Sequence, residues 1–320
     1  MNGINEESDR YDPTLFAPGK RYSTFDRFLK NRFGGKVAKL PLDAGTTCPN
    51  RDGSKGIGGC AFCSGRGSGD FCLPGSITEQ LVLQREIVRR KWDAERFIPY
   101  FQSCTGTYAP VGRLLPLWEE ALRFPGAVGL AVATRADCLP DEICEALAEI
   151  SRRTFLTVEL GLQTSDDRTA ERMNRCHSYA DFVRGFEKLR ALGIPVCVHL
   201  IDGLPGEDRE TMLRTAEDAA ALRPEFVKIH LLHVLKGTAL EKSYLDGEFG
   251  TLSMEEYVGV VCDQIERFPG STVFERVTGD GKGADLLAPG WSRRKRDVLN
   301  SIDKELARRG SYQGMKYSED

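Results

Sequence analysis

The order of apolar and polar positions divides most of the chain into two alternating patterns. Short apolar runs rich in β-branched and aromatic residues stand at Val37–Leu42, Phe97–Phe101, Ala127–Ala133, Phe155–Leu160, Ile194–Ile201 and Phe226–Leu232, and predict strands. Between them apolar residues recur at helical spacing, as at Ile143, Leu147 and Ile150 or at Phe182, Phe186 and Leu189. Ser76 and Glu79 form a capping-box pair that opens the first of these helices. Most strand starts are separated by roughly the 30 residues of a βαβ unit, so the pattern predicts an α/β fold with a parallel sheet. About six units fit before residue 275, short of the eight in a complete barrel. An open, partial (β/α)6 barrel and a doubly wound sheet share this pattern, and both carry ligands at the carboxyl ends of their strands. Residues 1–35 and 276–320 read as N- and C-terminal extensions of a core at 36–275.

Composition narrows the class. With 320 residues, 41% of them hydrophobic, and a formal net charge of −3, the chain holds enough apolar material for one large core. Disorder would need fewer aliphatic residues and a less balanced charge. The opening MNGINEESDR has no positive flank followed by an apolar run, so no secretory signal is expected. No apolar stretch approaches the roughly 20 residues that cross a bilayer, and a soluble, cytoplasmic protein without membrane contact is expected. A pI near 6.0 argues against wholesale coating of nucleic acid, though a local basic patch remains compatible with it.

Ten cysteines in such a chain do not read as a disulfide framework. Seven of them (72, 104, 138, 144, 176, 197 and 262) are dispersed among apolar segments and read as small buried hydrophobes. The other three stand together in Cys48-Pro-Asn-Arg-Asp-Gly-Ser-Lys-Gly-Ile-Gly-Gly-Cys60-Ala-Phe-Cys63, a loop just past the first predicted strand. Glycines at 53, 56, 58 and 59 are expected to supply the positive φ angles of a tight wrap. Three thiolates at this spacing suit three irons of a 4Fe–4S cubane and leave the fourth iron open to a small molecule. Zinc is the rival, since Cys-x-x-Cys is common in zinc sites. However, the four histidines, at 177, 199, 230 and 233, are all distant in sequence, and a second Cys-x-x-Cys is absent. A contribution from Cys72 would close the site with four cysteines and remove the open position.

The loop resembles that of the YhcC/YtqA-type radical SAM proteins, which are related to the elongator-type radical SAM enzymes. The resemblance rests on the Cys-x11-Cys-x2-Cys spacing and on the run from Asp43 to Gly53. It continues through Gln102–Tyr108, Thr134–Asp137, Glu159–Thr164, Asn174–His177, Asp202–Gly206, Thr278–Asp280 and Arg309–Gly314, in consistent order over roughly residues 20–315. It implies a partial barrel of the radical SAM type, with Cys48, Cys60 and Cys63 holding a 4Fe–4S cluster whose open iron takes the amino and carboxylate groups of S-adenosylmethionine. One electron then cleaves the sulfonium to methionine and a 5′-deoxyadenosyl radical, which abstracts hydrogen from substrate. A one-electron donor such as flavodoxin or ferredoxin is implied as a partner.

The same resemblance suggests cofactor contacts. Phe62 matches the aromatic that shields the cluster near adenine, against a reading as loop packing. Ser103 and Thr105 stand where the superfamily has its methionine-contacting stretch, although this chain lacks the Gly-Gly-Glu form. Arg135, Gln163, Arg175 and His199 resemble in position the S-adenosylmethionine contacts of oxygen-independent coproporphyrinogen dehydrogenase. The guanidinium of Arg175 suits a carboxylate; surface salt bridging is the plain alternative for either arginine. Glu159, within an apolar strand, is either a site residue or the partner of a nearby arginine. Gly203 follows the fifth strand and is a candidate for backbone contact with adenine, or simply part of a turn. His230 and His233, on and after the sixth strand, are candidates for substrate contact or proton transfer, or structural residues.

Trp291–Gly310 has helical spacing, with Val298, Ile302 and Leu306 on one face. Seven Lys or Arg against three Asp or Glu give this segment a net +4, concentrated at Arg293–Arg296. Such a run is either a solvated face or a phosphate-binding surface. Relatives of this type have been linked to the 5-substituent of the tRNA wobble uridine, so tRNA is the implied substrate. The competing readings are the same radical chemistry on a small metabolite or protein side chain, and a non-catalytic zinc or iron–sulfur module.

Overall fold

The structure is a computed structural model that describes residues 16–279 and 283–318; Asp280 of the Thr278–Asp280 motif and the opening ten residues lie outside them. Strands form where the apolar runs stand: β1 (Val37–Leu42), β2 (Arg96–Phe101), β3 (Gly129–Thr134), β4 (Phe155–Gln163), β5 (Val196–Asp202) and β6 (Phe226–Leu231). After them come a two-residue β7 (Val234–Leu235), β8 (Val273–Arg276) and β9 (Leu286–Ala288). Helix α1 (Phe25–Phe33) precedes β1. The crossovers hold α2 (Ile77–Arg89), α3 (Val111–Leu122), α4 (Asp141–Arg153), the short α5 (Asp167–Arg172) with α6 (Tyr179–Ala191), and α7 (Arg209–Ala221). Helices α8 (Ala239–Leu245) and α9 (Met254–Arg267) lie between β7 and β8, and α10 (Lys295–Arg309) follows β9. The capping box of Ser76 and Glu79 starts α2 as its sequence predicts. No helix among the described residues is long and apolar enough to cross a membrane.

Strand order decides between the two architectures. One all-parallel sheet runs β1-β2-β3-β4-β5-β6-β8. A doubly wound sheet reverses its order at a switch point; this order never reverses. Right-handed crossovers then place the crossover helices on one face, and the twisted sheet curls its other face inward as a partial barrel. The seventh strand, β8, escapes sequence detection because Glu275 and Arg276 break its apolar run.

Period-two alternation sorts the strand side chains. Leu40, Val132, Val158, Val198 and Ile229 face the helices in the main core. Val37, Ile98, Ala131, Phe155, Cys197 and Phe226 face inward and meet Phe25 and Leu29 of α1. Phe25 sets its ring edge-on to Phe226 at 5.3 Å. Helix α1, expected only as part of an extension, thus plugs the amino end of the barrel. It also lies along the open seam, packing on both β1 and β8, where Phe274 N donates to Ser23 O at 2.8 Å.

At the other terminus, Val298, Ile302 and Leu306 are buried on one face of α10, which packs on α9. This helix starts at Lys295 rather than Trp291. Gly290–Arg293 forms a separate 3-10 turn, and Arg294, at φ −94° and ψ 55°, breaks the helical geometry between them.

Asp202, at the end of β5, is buried with Oδ1 accepting from Gln264 Nε2 of α9 at 2.7 Å and Oδ2 unpartnered. Burial, opposed by that hydrogen bond, pushes its carboxyl up to about 8. A carboxyl raised on folding contributes stability that is complete below its unfolded pKa of roughly 4. That contribution is lost as pH rises through about 8. Asp202→Asn keeps the acceptor and removes the titration. Thermal melts should therefore show the variant more stable than the wild type above pH ~8, with the difference vanishing below pH ~4.

Candidate functional site

The cysteine loop crosses the carboxyl end of the sheet after β1. Its wrap is internal: Pro49 O accepts the amides of Lys55 and Gly56 at 2.8 and 3.2 Å, and Asn50 O accepts Gly59 N at 2.7 Å. Gly53, Gly58 and Gly59 take φ of 89°, 82° and 82°, as the glycine content predicts. Gly56 has a different reason to be glycine, because a Cβ there would sit 2.1 Å from Asn50 Oδ1. The turn after α5 pins the loop from outside. Ala61 N donates to Met173 O at 3.0 Å, and Asn174 Nδ2 donates to Gly59 O at 2.8 Å.

Cys48, Cys60 and Cys63 open onto one cavity of about 280 Å³ at the mouth of the barrel. Phe62, Thr105, Arg135, Glu159, Gln163, Arg175, His199, His230 and His233 line the same cavity. Ser103 and Gly203 stay outside it: Ser103 is buried against Gly69, and Gly203, at φ 81°, packs on Leu252. Cys72 is also outside, and burial pushes its thiol up to about 12. Cys104, expected as a buried hydrophobe, does reach the cavity.

Among the described residues five non-glycine residues have positive φ, and four of them stand here. Cys104 (53°) and Gln163 (73°) line the cavity, while Asn174 (52°) and Cys176 (56°) support the cysteine loop. Such conformations cost about 1–3 kcal/mol each and persist where the surroundings impose them. For Gln163 the cause is a register shift between β4 and β5 at Gly161, which turns its side chain into the mouth.

Arg175 is buried. Its Nη1 donates to Cys60 Sγ at 3.4 Å, and its Nη2 donates to Gly161 O at 2.6 Å and to His177 Nε2 at 2.9 Å. Burial and the neighbouring Arg175 push His177 down to about 3, so it is neutral and accepts through Nε2. Among the nitrogens of Arg175 only Nε lacks a partner, and most of the guanidinium is committed within the protein. Arg135 is likewise buried, binding both oxygens of Asp137 at 2.9 Å and leaving Nη1 unpartnered. Cys60 is held well below the usual thiol range, chiefly because the Cys63 thiol donates to it; burial opposes this and Arg175 assists it.

Below the mouth lies a buried polar girdle. Glu159 accepts from Tyr100 OH at 2.5 Å and from His199 Nε2 at 2.7 Å, and pairs with Lys39 and Lys228. Of the two sequence readings, Glu159 lines the cavity as a site residue would, and its charge partners are lysines rather than an arginine. Both lysines also pair with Glu275, so Lys39 of β1 and Glu275 of β8 span the seam that no backbone hydrogen bond closes. Burial pushes the Glu159 carboxyl up, but Lys228 and Lys39 outweigh it and hold it well below the usual range. Burial and Lys228 hold His199 below its ordinary value, so it is neutral and donates to Glu159 through Nε2. Lys228, Tyr100 and Arg276 join the cavity lining without having been singled out in sequence. The available signal was a lysine at an inward position of Phe226–Leu231, two residues before His230.

The lining sets five cations (Arg51, Arg135, Arg175, Lys228, Arg276) against two anions (Asp70, Glu159). With the thiolate-competent Cys60 and the unpartnered donors of Arg135 and Arg175, this set fits an anionic cubane held by three cysteines. Among the described residues no three His, Cys, Asp or Glu side chains converge as ligands of one ion. Thiolates bound to three different irons need no such convergence. A larger groove of about 970 Å³ on the flank holds Lys55, Asp181, Arg184 and Lys188. Its cations are already paired, Lys55 with Asp137, Arg184 with Asp181 and Lys188 with Asp141.

Glu159→Gln leaves two buried ammonium groups sharing Glu275 alone. Removing one partner of a buried pair costs about 3–5 kcal/mol; urea unfolding should show a loss of that order.

The profile of the Radical SAM superfamily matches residues 46–219, and that of the Radical_SAM C-terminal domain matches 224–308. YtqA of Bacillus subtilis is 48% identical over 299 residues, which cover 92% of each chain. A shorter match, 31% over 138 residues, links 42% of this chain to 25% of a tRNA uridine(34) acetyltransferase of Methanocaldococcus jannaschii. The solved structure of Methanocaldococcus infernus Elp3, lacking its N-terminus, superposes with a TM-score of 0.65 at 18% identity. That superposition covers 87% of this chain and 64% of the other, and is a likeness of fold.

Proposed function

The chain belongs to the radical SAM superfamily of enzymes, and from that premise we propose that Cys48, Cys60 and Cys63 hold a 4Fe–4S cluster and that the enzyme modifies the 5-substituent of the tRNA wobble uridine. The observation that carries the cofactor assignment is the opening of all three thiols onto one cation-rich cavity at the barrel mouth. When bound, the cluster and S-adenosylmethionine supply one-electron chemistry that generates a hydrogen-abstracting radical. A donor such as flavodoxin or ferredoxin delivers the electron.

The chain's own residues bind, orient and exclude water. The unpartnered Nε of Arg175 and Nη1 of Arg135 are the donors for the carboxylate of S-adenosylmethionine. Phe62, 6.0 Å from the Arg175 guanidinium, covers the cysteine side of the cavity. Thr105 presents an unpartnered hydroxyl, and Gln163 presents its amide. The tie to Glu159 fixes the ring of His199. Burial, with Arg276 as the next cause, holds His230 well below its ordinary value, so it stands neutral in the cavity as a candidate for hydrogen-bonded contact with substrate. His233 is the second candidate for that role. We take residues 36–275 as the catalytic core and the flanking segments as extensions.

An RNA substrate draws support from the rim. Trp291 Nε1 donates to Leu252 O at 2.9 Å, and Leu252 packs beside Gly203 at the end of β5. Arg293 is tied to Leu286 O of β9 at 2.9 Å, and β9 pairs with β7 just past His233. The basic run therefore begins at the mouth side of the barrel, with Arg294 and Arg296 exposed. The partial match to a protein named for tRNA uridine(34) is a second support. The net charge of −3 favours the same radical chemistry on a small metabolite or protein side chain, and binding measurements separate the two.

After anaerobic reconstitution with iron and sulfide and reduction, the protein should form 5′-deoxyadenosine from S-adenosylmethionine. A triple Cys48→Ala, Cys60→Ala, Cys63→Ala variant should fall to background. One zinc per chain, no iron absorbance and intact S-adenosylmethionine would overturn the assignment. In anisotropy titrations with tRNA, Arg294→Ala and Arg296→Ala should each weaken binding and lower the salt slope by about 1. An unchanged slope in both rules out the rim as the docking surface.

A further inference from the structure

Asn50, two residues past Cys48, is buried, and every polar atom of its amide is engaged. One Nδ2 hydrogen goes to Cys60 Sγ, 3.5 Å away, and the other to Asn174 O. Oδ1 accepts from the Cys176 thiol at 2.9 Å. The amide has one workable orientation, since a flip would turn its oxygen toward both the Asn174 carbonyl and the Cys60 sulfur. Gly56 makes the arrangement sterically possible, because a Cβ there would stand 2.1 Å from Oδ1 and 2.7 Å from Cys176 Sγ. Arg175 Nη1 donates to the same sulfur at 3.4 Å. No such side-chain donor from nitrogen is found for Cys48 or Cys63 among the described residues.

We infer that Asn50 is a positioning residue that, with Arg175, sets the reduction potential of the cysteine-held cluster through N–H···S hydrogen bonds to Cys60, its amide oriented by Cys176. The inference rests on the assignment of the cluster to Cys48, Cys60 and Cys63. Reduction adds one electron from an external one-electron donor and moves no atoms. The added negative charge spreads onto the thiolate sulfurs, where a fixed N–H dipole stabilises the reduced state more than the oxidised one. Hydrogen bonds to the sulfurs are among the factors that set iron–sulfur potentials. Cys60 is thereby distinguished from its two fellow ligands.

The test is an EPR-monitored dithionite titration of the reconstituted full-length protein without S-adenosylmethionine, comparing wild type, Asn50→Leu and Cys176→Ser. Asn50→Leu keeps the branched shape and deletes the donor together with the Oδ1 acceptor. At a fixed potential it should hold about tenfold less reduced cluster, a shift of ~59 mV to lower potential for a one-electron couple. Cys176→Ser retains an O–H for Asn50 Oδ1 and should titrate as wild type. A potential unchanged in Asn50→Leu at full iron and sulfide content overturns the inference. If Asn50→Leu does not load, wild-type protein labelled with 15N-asparagine decides the matter: a 15N hyperfine coupling to the reduced cluster supports the bond, and its absence overturns it. A wild type that takes up no cluster is a different result, since it defeats the cofactor assignment itself.

Discussion

An open barrel has to hold its interior together without the backbone hydrogen bonds that would close it, and here a buried ionic girdle does so. Glu159 on β4 gathers Lys39 from β1, Tyr100 from β2, His199 from β5 and Lys228 from β6, and Glu275 adds β8. Of the seven strands only β3 stands apart from this set. The pair from Lys39 to Glu275 matters most, because it joins the two edge strands across the unpaired seam. A sheet edge left open would expose unpaired donors and acceptors; the ion pair within and α1 along the seam hold these edges in place.

Such a girdle is expensive in isolation. Charges taken out of water lose hydration that only good partners restore, which is why two lysines share two glutamates with a tyrosine and a neutral histidine completing the shell. Its position explains the layering of the barrel interior. Beneath it the aromatic plug of Phe25, Phe155 and Phe226 excludes water from the amino end. Above it the cavity opens toward the cysteine loop. The girdle thus forms the floor of the site; its own His199 is neutral through burial and Lys228, and His230 above it is neutral through burial and Arg276.

The roof of the site is built by a different device. The cysteine loop has no strand or helix of its own to order Cys48, Cys60 and Cys63, so its geometry is borrowed from Asn174–His177. That turn supplies carbonyl and amide partners to the loop, a guanidinium to Cys60, and a neutral imidazole that steadies the guanidinium. Strained backbone at Asn174 and Cys176 is the local cost of presenting those groups from so short a segment.

The strands from Val37 to Leu231 and the cysteine loop are legible in sequence because apolar periodicity and cysteine spacing are local properties. Both follow from chain geometry over a few residues, and so does the expectation of a site past the strand ends, where the cavity lies. Local pattern did not reach β8, where two charged residues sit in four, nor the plug formed by α1. It marked Glu159 as needing a partner but not Lys39 or Lys228, which lie 120 and 69 residues away. Curvature and register bring these groups together, and neither is written in any single segment. The sequence by itself determined the parallel α/β core, the three thiols and the inward-facing polar positions. Tertiary structure alone decided that the sheet curls rather than winds both ways, which charges meet, and which donors reach Cys60. These are contacts that the curl of the sheet and the wrap of the cysteine loop bring about, not any single segment.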